Sequence, residues 1–150
     1  MNIEGTHRID APQDRVFAAL TDPAVLERCI PGCEQMEKTG ENRYQTRMTV
    51  GVGPVKGVFT ATVSLEDITA PSHYKLVVEG KGQPGFVKGT GALDLSADGD
   101  GTSIRYTGEV HVGGILASVG QRMIQATSNM LAGRFFGCLE NEAKAYPKAS

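Results

Sequence analysis

The stretch Val-Lys-Gly-Val-Phe-Thr-Ala-Thr-Val-Ser-Leu, residues 55–65, decides the fold. Apolar side chains or glycine stand at every second position, and mostly polar side chains stand between them. Successive side chains of a β-strand point to opposite faces of a sheet, so this alternation predicts a strand with one buried face. The alternation continues for eleven residues, which favours a strand over a helix.

Alternation on both sides of this stretch predicts further strands. The segments concerned are residues 2–10, 43–50, 74–78, 87–95 and 104–112. Asp98-Gly99-Asp100-Gly101 has the composition of a hairpin turn, and turn signals recur every ten to fifteen residues. Strands separated by such turns are typical of an antiparallel meander.

Helices are predicted before and after this run of strands. Pro12 and Pro23 suit the first turns of two short helices that follow the first strand. Residues 115–145 contain no proline and predict one long helix, about 45 Å at a rise of 1.5 Å per residue. The element order is therefore strand, two short helices, six strands and a long helix. It predicts one α+β domain over residues 1–150, in which a curved antiparallel sheet closes against the long helix.

Glycine is over-represented, with 19 residues among 150 against a usual share of about 7%. Several glycines lie in predicted strands, where Gly89, Gly91 and Gly108 share the inner face with apolar residues. Small residues on that face favour an apolar ligand cavity between sheet and helix, although a tightly packed core without a cavity remains the alternative.

One broad face of the long helix is predicted to point into this cavity. At 100° per residue, that face carries Leu116, Gly120, Met123, Thr127, Met130, Leu131, Arg134 and Cys138. The predicted ligand-binding residues are Met48, Phe59, Ala61, Val63, Leu76, Val78, Phe86, Leu93, Tyr106, Val110, Met123, Thr127, Met130, Leu131 and Arg134. Two alternatives stay open: Arg134 as an anion anchor or a surface arginine, and Phe86 as a lid or an ordinary core residue.

Charge and cysteine content limit the function classes. A net charge of −2 argues against nucleic-acid binding. The three cysteines, Cys29, Cys33 and Cys138, fit no redox or zinc spacing and are predicted to be reduced thiols in a cytoplasmic protein. No secretory signal is visible, and no apolar run approaches the length of about 20 residues that spans a bilayer. Contact with the inner face of the cell membrane stays open.

No catalytic or metal-binding residue is predicted. The three histidines, His7, His73 and His111, lie in no metal-ligand motif. The glycine-rich segment 80–85 is followed by Phe-Val rather than by Lys-Ser or Lys-Thr, so it does not match a phosphate-binding loop. The inward polar candidates are Tyr106, Thr127 and Arg134, and none of them is an obvious general base.

Several motifs together resemble the carbon monoxide dehydrogenase CoxG family, which belongs to the START-like (SRPBCC) helix-grip superfamily. The motifs are Ala11-Pro12 before Val16-Phe17, Cys29-Ile30-Pro31-Gly32-Cys33-Glu34, Gly51-Val52-Gly53-Pro54-Val55-Lys56-Gly57, Gly89-Thr90-Gly91 and Gly113-Gly114-Ile115-Leu116-Ala117. The resemblance implies a START/Bet v 1-like fold with seven strands around a long C-terminal helix. It also implies a sheet–helix cavity, in which superfamily members hold lipids, sterols or polyketides.

The same resemblance implies a function without catalysis. The family is similar to accessory proteins of molybdenum carbon monoxide dehydrogenases, implicated in membrane attachment and in handling quinone electron acceptors. The expected protein binds a quinone, another isoprenoid or a lipid without a covalent cofactor, and contacts a molybdenum hydroxylase-type enzyme. Two alternatives stay open: a polyketide cyclase or dehydratase-like enzyme, and a docking module with a closed cavity.

Overall fold

The computed structural model describes residues 1–146, which form a seven-stranded antiparallel sheet, three α-helices and a 3₁₀ helix. In chain order the elements are β1 (Asn2–Ile9), α1 (Gln13–Leu20), α2 (Pro23–Cys29), β2 (Cys33–Gly40), β3 (Arg43–Val52), β4 (Val55–Thr69), β5 (His73–Gly82), β6 (Gly85–Asp98), β7 (Gly101–Gly113), the 3₁₀ helix (Gly114–Val119) and α3 (Gln121–Ala145). The predicted α+β helix-grip architecture is confirmed. That residues 1–150 form a single domain stays a prediction.

The sheet is a meander whose first strand returns to the far edge, in the order β1-β7-β6-β5-β4-β3-β2. The stretch 55–65 forms most of β4 and pairs with both β3 and β5. Its apolar side chains Phe59, Ala61 and Val63 are buried, as the alternation predicts. We call the face that carries them the inner face of the sheet.

Strand β2 has no counterpart among the alternating segments of the sequence. It lies at the sheet edge, and its side chains are exposed or half-buried along its whole length. Because neither face of β2 is fully covered, its sequence needs no alternation between apolar and polar residues. The edge strand is therefore visible only through its pairing with β3.

The prediction of one continuous helix over 115–145 is wrong. A 3₁₀ helix ends at Val119, Gly120 adopts a positive φ of 90°, and α3 begins at Gln121. This break rotates the second segment relative to the first, so a helical wheel that starts at Leu116 assigns the wrong face to α3. The buried residues of α3 are Ile124, Phe136, Leu139 and Ala143.

The buried apolar residues form two separate clusters. The first packs α1, α2 and the C-terminal half of α3 against one end of the sheet, around side chains such as Val16, Leu20 and Leu139. It also contains Tyr74, and burial raises the pKa of its phenol far above the ordinary value. The second cluster consists of Val52, Phe59, Leu116 and Ile124. The inner face between the clusters is therefore less densely covered.

The prediction that all three cysteines are reduced thiols is wrong. Cys29 at the end of α2 and Cys138 in α3 form a disulfide, although 109 positions separate them in the sequence. Their Cα atoms lie 5.4 Å apart, within the ordinary range for a disulfide. Only the packing of α2 on α3 brings them together, so their spacing in the sequence carried no signal. Cys33 is the free cysteine of residues 1–146.

No helix among residues 1–146 is both long enough and apolar enough to cross a membrane.

Candidate ligand site

The inner face carries a band of small and half-buried residues between the two core clusters. Val78 of β5, Gly89 of β6 and Val110 of β7 are direct neighbours across the strands, and so are Gly91 and Gly108. We call these five residues the central band. The backbone of α3 approaches the sheet at β1 and β3, near its two sides. The helix thus crosses the inner face as a strap.

Open space lies above two glycines of the central band. A Cβ atom built on Gly89 would meet only the carbonyl oxygen of Glu109, at 3.8 Å. One built on Gly91 would meet only the carbonyl oxygen of Thr107, at 3.5 Å. Among residues 1–146, therefore, no side chain comes within 4 Å of these positions. Gly108 differs, because its Cβ would lie 2.9 Å from the carbonyl oxygen of Thr90.

The strand residues predicted to bind a ligand are brought together on the inner face, with one exception. Buried there are Phe59, Ala61, Val63 and Leu93, and half-buried are Met48, Leu76, Val78, Tyr106 and Val110. The exception is Phe86, whose ring lies over Gly113 on the outer face and is 43% exposed. Phe86 is one position out of phase with Val87 and Gly89, so it cannot line the interior.

The helix residues predicted to bind a ligand fall into two groups. Thr127 and Leu131 are half-buried on the side of α3 that faces the sheet. Met123, Met130 and Arg134 are exposed, and their assignment to the inner face is wrong. The break at Gly120 accounts for this error. Met123 nevertheless contacts the β3–β4 turn at Gly53, whereas Arg134 is a surface arginine, the second of its two alternatives.

An aromatic cluster that sequence reasoning missed lies on the inner face beside the central band. The ring of His7 stacks on Phe136 at 4.5 Å between centroids and on Tyr106 at 5.9 Å. Phe136 and Tyr106 are themselves stacked at 5.4 Å. The signal was present in β1, since Ile3, His7 and Ile9 share one face of an alternating strand. We call His7, Tyr106 and Phe136 the aromatic cluster.

A family comparison assigns the chain. The family model that describes the carbon monoxide dehydrogenase protein CoxG matches residues 5–144, nearly the whole sequence. The chain belongs to the CoxG family. A crystal structure of a conserved protein from Geobacillus kaustophilus is 36% identical to this CoxG family member. The alignment covers 98% of both chains, with a TM-score of 0.93.

More distant structures share the fold of this CoxG family member. An aromatase/cyclase from Streptomyces sp. R1128 is 18% identical over 96% of this chain and 93% of its own, with a TM-score of 0.69. A START superfamily protein from Mycobacterium smegmatis is 12% identical over 96% and 97% of the two chains, with a TM-score of 0.70. No match was found among curated protein sequences. At these low identities the likeness establishes the helix-grip fold alone.

A polar cluster of the CoxG family member surrounds the disulfide and holds the end of α3 against α2. Arg28 donates two hydrogen bonds to Glu142, at 2.9 and 2.8 Å, and Tyr146 donates one to Asp22 at 2.8 Å. The guanidinium of Arg28 lowers the pKa of Glu142. A carboxylate oxygen of Glu142 lies within 4.8 Å of both disulfide sulfurs. Sulfurs joined in a disulfide are not thiolate ligands, so the cluster in this form is not a metal centre.

A groove of about 780 Å³ lies on the outer face of the sheet. Short side chains such as Thr90, Ala92 and Thr107 form its floor, and long charged side chains such as Glu4 and Lys75 lie at its sides. It is separated from the central band by the thickness of the sheet. The groove is therefore not the cavity that the sequence predicts.

Proposed function

We propose that this CoxG family member is a binding protein that holds an apolar molecule between α3 and the central band. The open space above Gly89 and Gly91 is the observation that carries this proposal. The surrounding inner-face side chains, including Val78, Val110 and Leu131, are half-buried and apolar. Such side chains gain free energy when a ligand removes them from water, by roughly 25 cal/mol per Å² of apolar surface.

We further propose that the ligand is an isoprenoid quinone and that the partner is a molybdenum carbon monoxide dehydrogenase-type enzyme. The membership in the CoxG family supports the partner. A quinone combines an apolar body with ring oxygens, which suits an interior that is apolar apart from a few polar side chains. In this role the protein supplies or removes the quinone, while the enzyme carries out the redox step.

Filling the space above Gly91 should abolish this binding. We expect Gly91→Leu to weaken menadione binding at least tenfold, because the new side chain points into the space that the ligand needs. The backbone at Gly91 tolerates a Cβ without close contact, so the fold should persist. The measurement is the rise in melting temperature with increasing menadione, compared between the variant and the wild-type protein.

Thr90→Leu is the matched control for this experiment. Thr90 is the next residue of β6, but its side chain lies on the outer face, so this variant should bind menadione like the wild type. Equal weakening by both substitutions would contradict the interior site. If neither menadione nor a ubiquinone analogue stabilised the wild-type protein, the quinone proposal would fail, and a docking module with a closed interior would be favoured.

We also propose that one end of the molecule contacts an anionic membrane surface. Three segments meet at this end: Pro84 lies on Gly57, its carbonyl oxygen accepts a hydrogen bond from Leu116, and Gly53 contacts Met123. Ile115 in the 3₁₀ helix is 63% exposed there. We call residues 50–61, 80–88 and 113–126 the basic end.

Charge is distributed unevenly between the basic end and the remaining chain. The basic end contains four cationic residues and no acidic residue; the four are Lys56, Lys81, Lys88 and Arg122. The other residues carry eleven cationic and seventeen acidic side chains. Exposed apolar residues beside cationic ones bind anionic bilayers, with about 1 kcal/mol per lysine near the surface.

Sedimentation with lipid vesicles tests this contact. We expect binding to vesicles that contain phosphatidylglycerol, and severalfold weaker binding by Lys81→Glu, since the variant reverses a charge at the basic end. Lys38→Glu is the matched control, because Lys38 is exposed in β2, away from this end. Equal binding to purely zwitterionic phosphatidylcholine vesicles would rule out the electrostatic contact.

The aromatic cluster supports a second candidate function, a ring-forming enzyme. His7 is a candidate general base on the inner face, and an aromatase/cyclase shares the fold. If the protein were such an enzyme, mass spectrometry would detect the loss of water from a poly-β-ketone model substrate incubated with it. His7→Phe should then abolish the reaction. An unchanged substrate would leave the binding protein as the function.

A further inference from the structure

Two hydrogen-bonding groups of the aromatic cluster have no partner in the described part of the chain. Among residues 1–146, neither the ring nitrogens of His7 nor the hydroxyl of Tyr106 forms a hydrogen bond to another residue. Both side chains are half-buried against the buried ring of Phe136. Placing polar groups in an apolar interior without partners costs free energy, and the packing of the rings alone does not require them.

The position of the aromatic cluster links these groups to the central band. Tyr106 precedes Gly108 by two residues of β7, so the two inner-face positions lie about 7 Å apart along the strand. The ring of Tyr106 lies across Gly5 of β1, where a Cβ would come within 2.7 Å of its Cζ atom. Glycine at position 5 thus allows the phenol to lie flat over β1, at the border of the open space.

We propose that His7 and Tyr106 bind a carbonyl or hydroxyl oxygen at one end of the apolar ligand. This inference rests on the proposed binding function and adds which end of the site recognises the polar part. An imidazole N–H or the phenol O–H can donate to a carbonyl oxygen, and the unprotonated imidazole nitrogen can accept from a hydroxyl. Phe136 fixes the His7 ring by stacking, so the imidazole is oriented before the ligand arrives.

Two probes that differ in their oxygens test the inference: menadione and 2-methylnaphthalene. The variants are His7→Phe and Tyr106→Phe, which keep a ring at each position and remove its hydrogen-bonding group. Equilibrium dialysis should show that the wild-type protein prefers menadione by about tenfold or more, as one or two hydrogen bonds would give. The double variant should bind menadione more weakly but 2-methylnaphthalene almost unchanged.

Three outcomes separate this inference from the proposed function. Loss of the menadione preference in the double variant, with His111→Phe on the exposed outer face unaffected, supports it. If the wild type binds both probes and the double variant keeps their ratio, the inference is overturned and the binding function stands. If the wild type binds neither probe, both fail. Should His7→Phe not fold, Tyr106→Phe alone decides, because it removes a single oxygen atom.

Discussion

Replacing Cys138 by alanine should lower the free energy of unfolding by about 4 kcal/mol, the largest effect that we expect from a single substitution. The disulfide with Cys29 closes a loop of 109 positions, and closing so long a loop restricts the unfolded chain strongly. In the folded state it joins α2 to α3 beside the first core cluster. The measurement is urea denaturation of the oxidised protein.

Cys33→Ala is the control for this prediction, because Cys33 is not part of the disulfide. Its denaturation midpoint should match that of the wild type, and dithiothreitol should lower the midpoint of both to that of Cys138→Ala. Equal stability of Cys138→Ala and Cys33→Ala under oxidising conditions would mean that the disulfide does not form or does not stabilise the fold.

Leu139→Ala should be the second most destabilising substitution, at about 3 kcal/mol. Leu139 is fully buried where α3 packs against α1 and α2, and truncation would leave a cavity that the surrounding helices cannot fill completely. Met130→Ala on the same helix is the control, because Met130 is 46% exposed and alanine favours helix.

Thermal and urea denaturation of the two variants check this prediction. A large loss of stability in Leu139→Ala with little change in Met130→Ala agrees with the observed face of α3. The opposite ranking would mean that α3 presents the face predicted from the sequence, with Met130 rather than Leu139 towards the sheet.

Most of the sheet could be predicted because one of its faces is covered. Residues such as Phe59, Ala61 and Val63 must alternate with polar ones wherever a strand has one buried side, and that pattern is local. Strand β2 escaped because it is an edge strand without a covered face. Its existence depends on pairing with β3, which is not a local property.

The candidate site was predicted less completely, since it depends on the phase of α3 and on contacts distant in sequence. The positive φ of Gly120 separates the 3₁₀ helix from α3, and this error placed Met130 and Arg134 inside. His7 was overlooked because a histidine fits no apolar pattern, although its partner Phe136 lies on the buried side of the helix. Both errors concern how elements meet rather than which elements form.

Glycine content acquires a specific meaning from the structure. Gly89 and Gly91 face open space, whereas Gly108 is held close to the backbone of Thr90. We therefore expect substitutions at Gly89 and Gly91 to affect binding, and Gly108→Leu to affect folding first. The excess of glycine in the sequence thus combines two physical roles, room for a ligand and close approach of strands.

Native mass spectrometry of the purified protein, with extraction and identification of any bound molecule, tests the central claim most directly. We predict that the wild-type protein carries an apolar, oxygen-bearing molecule such as a quinone, and that Gly91→Leu carries none while Thr90→Leu does. The result that would contradict the account is a wild-type protein that carries no such molecule and takes up none from added menaquinone or ubiquinone analogues.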